Sequence, residues 1–347
     1  MNLAGKRPHA ANGSFFLPCA AGEGDRAKRG GGGSPAGSPN ETCVRWMTQS
    51  ARAKGGENRG RGPPPPPCGG GWGALLLAAL VAVASPALAK PQRVVSLNLC
   101  ADELALQLAD PGVVKSVTWL SQDRRNANVA AKAATLPAND GHAEEALAYD
   151  PDLVLVGPFA DPASIALLKQ VGAPVVEVGA PQTFDGVRRQ IRDLAVALGE
   201  PERGEALVAD LDARLARVVV DLSRPRLKAV VLRPNGFTVG PGSLVDEILA
   251  RAGLDNLARR LDIAADEQVP LEVVALLGAD ILILDRDAAS APSLADAALD
   301  HPAIAALAGR MTVVSLPARL WTCGGPEIAE AVAWLAAAAA RAREATP

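Results

Sequence analysis

The chain has 347 residues, 49% of them hydrophobic and 21% charged, so it is long enough for two ordinary domains and a sizeable core. This composition excludes a peptide hormone, a collagen-like chain and a wholly disordered protein. Residues 1–89 carry 10 Lys and Arg against 4 Asp and Glu, whereas residues 90–347 carry 25 against 34 and have a net charge of −9. The acidic part argues against a nucleic-acid partner, because phosphates require a basic surface. The three His and five Cys show no metal-ligand spacing, which argues against a zinc enzyme.

The N-terminal region has the composition of a leader followed by a secretion signal. Residues 1–71 are rich in Gly, Pro, Ser and Arg without hydrophobic periodicity, which predicts a disordered leader. Residues 72–89 form an apolar stretch of secretory length that closes on Ala87-Leu-Ala89, a small-x-small cleavage site, so a signal peptide is predicted. A membrane anchor is the alternative, but the stretch contains a proline and lies near the shortest lengths that span. We expect a soluble exported product that begins at Lys90, and the unusually long leader suggests a translation start farther along the chain.

From residue 90 onward, short β-branched segments alternate with helical patterns, which is typical of βα units and mostly parallel sheets. The predicted strands are 93–97, 113–118, 153–157 and 174–178 in the first half and 228–233, 281–285 and 312–316 in the second. Between the halves, one helical stripe is formed by Leu207, Leu211, Leu215, Val218 and Leu222. We therefore predict an α/β fold of two Rossmann-like lobes, 90–198 and 225–347, joined by one long helix within 199–224.

The two halves share a faint internal repeat. Glu144 precedes Asp152 by the same eight residues that separate Glu272 from Asp280, and a buried strand follows each aspartate. Each segment is typical of a short helix that delivers the chain into a strand. Matches of this length also arise by chance in Ala- and Leu-rich chains, so the pattern alone leaves the repeat open.

Four segments carry a family resemblance. They are Arg93-Val-Val-Ser-Leu, Tyr149-Asp-Pro-Asp-Leu-Val-Leu-Val156, the stretch 239–256, and Leu320-Trp-Thr-Cys-Gly-Gly-Pro326. Together and in this order they resemble the class III periplasmic substrate-binding proteins of ABC importers, which capture cobalamin, ferric siderophores and haem. The resemblance implies two α/β lobes with the ligand in a shallow cleft between them, and little hinge motion, because the connector is a helix.

The resemblance also implies that an acid on each lobe meets Arg residues of the membrane permease. The matching positions are Glu144 and Glu272, which the internal repeat independently makes equivalent. The alternative is that both are exposed first-turn glutamates, which are favourable at any helix N-terminus.

Ligands of open α/β lobes meet the loops that follow the carboxyl ends of the strands. Trp119 and Trp321 offer flat apolar surface for a macrocycle or an aromatic chelate, unless each only packs under its loop. Arginines in these loops pair with carboxylate or catecholate oxygens, which slightly favours an anionic ferric siderophore, whereas the two tryptophans also suit a corrinoid or haem. The predicted ligand contacts are Trp119, Arg124, Arg125, Phe159, Arg233, Phe237, Arg319 and Trp321.

Cys100 and Cys323 are the only cysteines after residue 89, and both map to cleft loops on opposite lobes. Export favours oxidation. A disulfide between them would clamp the lobes and obstruct the site, so two free or partly buried thiols are the simpler expectation. A bridge is the alternative, and it requires Cα atoms within roughly 7 Å of each other.

The leading hypothesis is periplasmic capture of a bulky metal chelate by a monomeric protein without a cofactor of its own, followed by delivery to an ABC importer permease in the inner membrane. The alternative from another class is a two-lobed Rossmann-like enzyme acting on a nucleotide or sugar. Against it, Gly240-Pro-Gly242 lacks the full dinucleotide fingerprint, and neither a P-loop nor a nucleophile elbow is present in the sequence. A non-transporting envelope protein of the same fold is a further alternative.

Overall fold

Two sheets organise the chain from Lys90 onward. The structure, a computed structural model, describes residues 90–221, 223–261, 263, 266–287 and 293–345. The predicted leader and signal peptide lie outside these residues. No helix within the described ranges has the length and apolar character needed to cross a membrane.

The first half forms a parallel sheet. Its strands are β1 (Val94–Ser96), β2 (Val114–Thr118), β3 (Ala138–Asn139), β4 (Leu153–Val156) and β5 (Val175–Glu177). They lie in the order β3-β2-β1-β4-β5, and every neighbouring pair is parallel. The helices are α1 (Leu99–Leu108), α2 (Ala130–Ala133), α3 (Ala143–Leu147), α4 (Pro162–Gln170) and α5 (Phe184–Ala197).

The second half begins after α6 (Pro201–Ala216). Its strands are β6 (Leu227–Leu232), β7 (Phe237–Val239), β8 (Leu254–Asn256), β9 (Asp266–Gln268), β10 (Ile281–Asp285) and β11 (Thr312–Leu316). Its helices are α7 (Leu244–Arg251), α8 (Leu271–Leu276), α9 (Pro302–Leu307) and α10 (Ile328–Ala345). Strands β11, β10, β6 and β8 form a second parallel sheet in that order, and β7 pairs with β9 in an antiparallel ribbon.

All seven predicted strands are present. The central ones, β4 and β10, are buried along their whole length, which suits a parallel sheet with helices on both faces. The four strands that the sequence did not predict, β3, β7, β8 and β9, have two or three residues each, too few for a hydrophobic pattern to stand out.

The internal repeat is a structural equivalence. Strands β2-β1-β4-β5 of the first sheet correspond in position and order to β8-β6-β10-β11 of the second. The carboxylate of Asp152 accepts hydrogen bonds from the N–H groups of Gln92 and Arg93 (2.8 to 3.1 Å), where β1 begins. That of Asp280 accepts one from the N–H of Lys228 (2.7 Å), at the start of β6. Each aspartate therefore fastens two neighbouring central strands of its own lobe at their amino ends.

The connection between the lobes is a helical hairpin of α5 and α6. Gly204 allows the two helices to approach closely, because a Cβ at this position would lie 2.5 Å from that of Ala195. At the start of α5, the N–H of Phe184 donates to Glu247 of α7 (2.5 Å), which fastens the hairpin to the second lobe. Helix α6 ends at Ala216, short of the predicted end at 224, because three consecutive β-branched residues from Val218 onward disfavour a helix.

Candidate functional site

The carboxyl ends of the two sheets meet at a set of contacts that we call the lobe seam, formed by Cys100, Asn128, Arg319 and Cys323. Asn128 follows β2 and Arg319 follows β11. The side-chain amide of Asn128 donates to the carbonyl of Arg319 (2.8 Å), and Nη1 of Arg319 donates to Oδ1 of Asn128 (2.7 Å). Since parallel strands end at one edge of their sheet, this reciprocal pair places the two edges opposite each other.

The expectation of free thiols is wrong, because Cys100 and Cys323 form a disulfide with Cα atoms 5.1 Å apart. Within the seam, Cys323 is buried and Cys100 is half-buried. Gly324 and Gly325, directly after Cys323, lie where a side chain would not fit. A Cβ on Gly324 would lie 2.6 Å from a side-chain carbon of Pro181, and one on Gly325 would lie 2.6 Å from Oε2 of Glu327. The bridge therefore joins the two lobes covalently at the seam.

Two glutamates flank the seam, the buried Glu103 on α1 and the half-buried Glu327 ahead of α10. Glu103 is 2% exposed and accepts a hydrogen bond from the N–H of Asn128 (2.6 Å). Gln107 donates to Oε1 of Glu327 (3.3 Å). The pKa of Glu103 is raised to about 7, mainly by burial and in part by the charge of Glu327. The hydrogen bond from Asn128 has the opposite, smaller effect. Burial also raises the pKa of Glu327. Burial therefore disfavours the ionised form of both acids beside the seam.

A buried aspartate positions the loop of Trp119. Asp102 on α1 is fully buried, and its Oδ2 accepts from the N–H (3.0 Å) and the hydroxyl (2.5 Å) of Thr118, the last residue of β2. Burial raises the pKa of this carboxyl to about 7. In the other lobe, Asp246 on α7 accepts from the side chain of Asn256 at the end of β8 (3.2 Å). Each lobe thus ties its first long helix to the carboxyl end of the neighbouring strand.

Trp119 follows Thr118 directly, at the start of a 3-10 turn (Trp119–Gln122), and its side chain is 53% exposed. The structure places its indole at the carboxyl edge of the first sheet, where the sequence predicted a ligand contact. In the same loop, Arg124 and Arg125 are exposed. Nη2 and Nε of Arg125 both donate hydrogen bonds to Oδ2 of Asp123 (2.5 and 2.9 Å). This contact raises the pKa of Arg125, and the charge of Asp296, in the loop after β10 of the other lobe, adds to the effect.

Trp321, in contrast, does not offer its ring face to a ligand. Its side chain is 1% exposed, and its indole N–H donates to Oδ1 of Asp285 (2.7 Å), the last residue of β10. The prediction of a flat binding surface at Trp321 is therefore corrected to the alternative, a tryptophan packed under its loop. The hydrogen bond gives the physical reason, because a buried carboxylate needs donors and the indole supplies one.

Asp285 also holds Arg233, another predicted ligand contact. Nε of Arg233 lies 2.9 Å from Oδ2 of Asp285, and Nη1 lies 3.1 Å from Asp266 on β9. The side chain of Arg233 is 21% exposed. Burial raises the pKa of Asp285 against the opposing charge of Arg233. The arginine is thus built into the second lobe by two carboxylates.

The two predicted phenylalanines are exposed. Phe159, after β4, is 92% exposed, and Phe237, at the start of β7, is 38% exposed. Asp285 and Asn128 are site residues that the sequence analysis missed. Asp285 had a signal, since a carboxylate that ends the apolar run Ile281-Leu-Ile-Leu must sit at the carboxyl edge of a buried strand. No local sequence pattern marks Asn128, because its contact is with Arg319, which lies far along the chain.

The acids predicted for docking lie one in each lobe and are both exposed. Glu144 stands in the first turn of α3, which begins just after β3. Glu272 stands in the first turn of α8, and the N–H of Val269 just before it donates to the carbonyl of Gly236 in the loop after β6 (2.9 Å). Both acids therefore lie at the carboxyl edges of their sheets, and their places correspond between the lobes, as the repeat predicts. Within the described ranges, no group of three or more His, Cys, Asp or Glu is placed to hold a metal ion.

Comparison with known proteins identifies the class. The model of a family described as periplasmic binding protein matches residues 94–309, so the chain belongs to this family. A cobalamin-binding protein of Halobacterium salinarum is 24% identical over 200 residues, which cover 56% of this chain and 54% of that protein. The chain thus spans about half the length of the curated relatives it matches.

Solved structures share the fold. The periplasmic heme-binding protein RhuT from Roseiflexus sp. RS-1 is 24% identical, with 72% of this chain and 98% of that chain covered and a TM-score of 0.60. A periplasmic heme binding protein from Pseudomonas aeruginosa is 25% identical, with 72% and 92% covered and a TM-score of 0.59. The periplasmic vitamin B12 binding protein BtuF of Vibrio cholerae is 19% identical, with 74% and 99% covered and a TM-score of 0.56. These likenesses confirm the two-lobed α/β fold, and the proteins compared are named as binding proteins.

Replacing both Cys100 and Cys323 with Ser should lower the free energy of unfolding by about 2–4 kcal/mol, because the bridge restricts the unfolded chain across a long loop. Chemical denaturation without reductant measures the difference. Adding reductant to the unsubstituted protein should lower its midpoint to that of the variant and leave the variant unchanged. Equal midpoints for the two proteins without reductant would show that the bond adds no stability.

The buried Glu103 makes stability depend on pH. Its pKa is about 7 in the folded protein against an ordinary value of 4.5, so the folded state binds more protons between these values and stability falls as the pH rises through them. Glu103→Gln should remove this loss. The difference in free energy of unfolding between the variant and its parent should therefore be up to about 3 kcal/mol more favourable to the variant at pH 8 than at pH 5. Urea unfolding from pH 5 to pH 8 tests it, with the exposed Glu202→Gln as the control. A variant as pH-sensitive as its parent would refute the assignment.

Proposed function

We propose that the protein captures a bulky metal chelate, of the haem, cobalamin or ferric siderophore kind, in the periplasm and delivers it to an ABC importer. The observation that carries this is the placement of exposed aromatic side chains. Among the described residues, four Trp or Phe side chains are exposed, and Trp119, Phe159 and Phe237 of these follow or adjoin strands at the carboxyl edges of the sheets. The fourth, Trp334, lies in α10. Exposed aromatic surface is unfavourable in water and is a common feature of binding sites.

The names of the relatives support a metal chelate as the ligand class. The matched proteins are named for haem and for cobalamin, and a further structural neighbour, from Saccharomonospora viridis, belongs to a ferric hydroxamate transport system. The lobe seam supports capture with little movement. A disulfide, the Asn128 and Arg319 pair and the α5–α6 hairpin all resist separation of the lobes. We propose a monomer, with the signal peptide removed ahead of Lys90.

Delivery is proposed to use Glu144 and Glu272. Their equivalent places at the carboxyl edges give the molecule two similar acidic corners. A permease made of two like subunits offers two copies of one basic surface, so each corner meets one copy through a charge-assisted contact. The exposure of both acids supports this assignment, because neither is used within the described part of the fold.

Titration of the protein that begins at Lys90 with cyanocobalamin, haemin and a panel of ferric siderophores tests the proposed function. We expect at least one of them to bind at micromolar concentration or below, which is about −8 kcal/mol or better. Trp119→Ala should make the binding free energy of that ligand less favourable by about 1–3 kcal/mol, because apolar contact is lost. Isothermal calorimetry is suited to this measurement, because it does not rely on tryptophan emission.

The matched control for this substitution is Trp334→Ala, which removes an indole of similar exposure (44%) from α10, away from the strand ends. It should leave affinity unchanged. An equal effect of both substitutions would remove Trp119 from the site, and the absence of binding by every chelate would refute the proposed function.

Replacing Glu144 and Glu272 together with Arg should abolish uptake of the chelate in cells that depend on this protein. Affinity of the isolated variant should stay within about threefold, or roughly 0.7 kcal/mol, because neither acid contacts the ligand. The control is Glu202→Arg with Glu344→Arg, an equal change of charge at exposed positions near the amino edges of the two sheets. If uptake survives the substitution of Glu144 and Glu272, or if the isolated variant loses ligand affinity, the two glutamates act only as favourable first-turn residues of their helices.

A further inference from the structure

Three of the four arginines predicted to meet the ligand are already occupied by the protein. Arg233 lies between Asp285 and Asp266, and Arg125 grips Asp123. Arg319 donates to the side-chain oxygen of Asn128 across the lobe seam. Only the fourth, Arg124, is exposed without an ion pair among the described residues. The charges of Arg233 and Arg125 are therefore balanced by carboxylates of the protein, whereas Arg319 is held by a neutral amide and Arg124 has no ion pair among the described residues.

The pairing of Arg233 is the most restrictive. Asp285 is 5% exposed, and its carboxylate has the arginine and the indole N–H of Trp321 as partners. An anionic ligand that drew Arg233 away would leave Asp285 buried with a single neutral donor. Removing one partner of a buried ion pair is strongly unfavourable, because the remaining charge is uncompensated. Binding of a polyanionic chelate to Arg233 would therefore destabilise the second lobe.

The surroundings add to this effect. Asp296, in the loop after β10, is close enough to raise the pKa of Arg125, and the side chain of Asp266 is 53% exposed beside Arg233. On the first lobe, exposed Asp140 follows β3, and Asp161 follows β4 at the start of α4. Acids thus border both sides of the cleft, and they repel an anion approaching through water.

We infer that the cleft binds a chelate without net negative charge, either neutral, as a corrinoid is, or cationic, as a ferric hydroxamate with a free amine is. This rests on the proposed capture of a metal chelate and states which electrostatic class of chelate the site takes. The exposed face of Trp119 fits the same class, because an aromatic ring attracts a cation and also packs against a neutral macrocycle.

The first test compares three probes by calorimetry: cyanocobalamin as the neutral one, ferrioxamine B as the cationic one and ferric enterobactin as the polyanionic one. We expect one of the first two to bind at least about tenfold more tightly than ferric enterobactin, or roughly 1.4 kcal/mol. Tightest binding of ferric enterobactin, or of haemin, whose two propionates make it anionic, overturns this inference and leaves the proposed function standing. Failure of all three probes and of haemin to bind overturns both.

The second test releases Arg233. Asp266→Asn removes one of its two carboxylates at an exposed position, so affinity for ferric enterobactin should rise by about threefold. Glu267→Gln is the matched control, since it removes the same charge from the next residue of β9, an exposed side chain without a contact to Arg233 among the described residues. It should change the affinity less. Equal effects of the two substitutions would show that Arg233 is not withheld by its partner and would overturn the inference.

Discussion

A covalent bond joins the two lobes where the ends of their sheets meet, and the rest of the site depends on that constraint. With Cys100 bonded to Cys323 and Asn128 paired with Arg319, the loops after β1, β2 and β11 are fixed relative to one another. Any ligand surface that these loops form is therefore present before a ligand arrives. A pre-formed surface loses little conformational entropy on binding, which favours affinity.

Two buried acids next to the lobe seam lower the stability of the protein near neutral pH. Asp102 and Glu103 are adjacent on α1, both buried, and both have a pKa raised to about 7 by burial. Each fixes a loop of the site through a hydrogen bond, Asp102 the loop of Trp119 and Glu103 the backbone of Asn128. The molecule thus gives up stability near neutral pH at positions where its loops are ordered, an arrangement typical of functional sites.

Much of the fold could be predicted from the sequence, because it depends on local patterns. The buried strands β4 and β10 show as unbroken apolar runs, and the equal spacing from Glu144 to Asp152 and from Glu272 to Asp280 correctly indicates two equivalent lobes. The site could be predicted only by region. Trp119 and Trp321 look alike in the sequence, and what separates them is Asp285, which draws one indole into the core. The disulfide and the Asn128 contact join residues far apart in the chain, so no local pattern contains them.

The two cysteines of the bridge also define how this part of the chain matures. They are the only cysteines in residues 90–347, so oxidation within it has a single intramolecular outcome and no incorrect pairing to undo. They lie 223 residues apart, one at the first helix and the other shortly before the last. The C-terminal thiol becomes available to its partner only after nearly the whole chain has been synthesised. The bond is thus a late step, and once formed it holds the two lobes together.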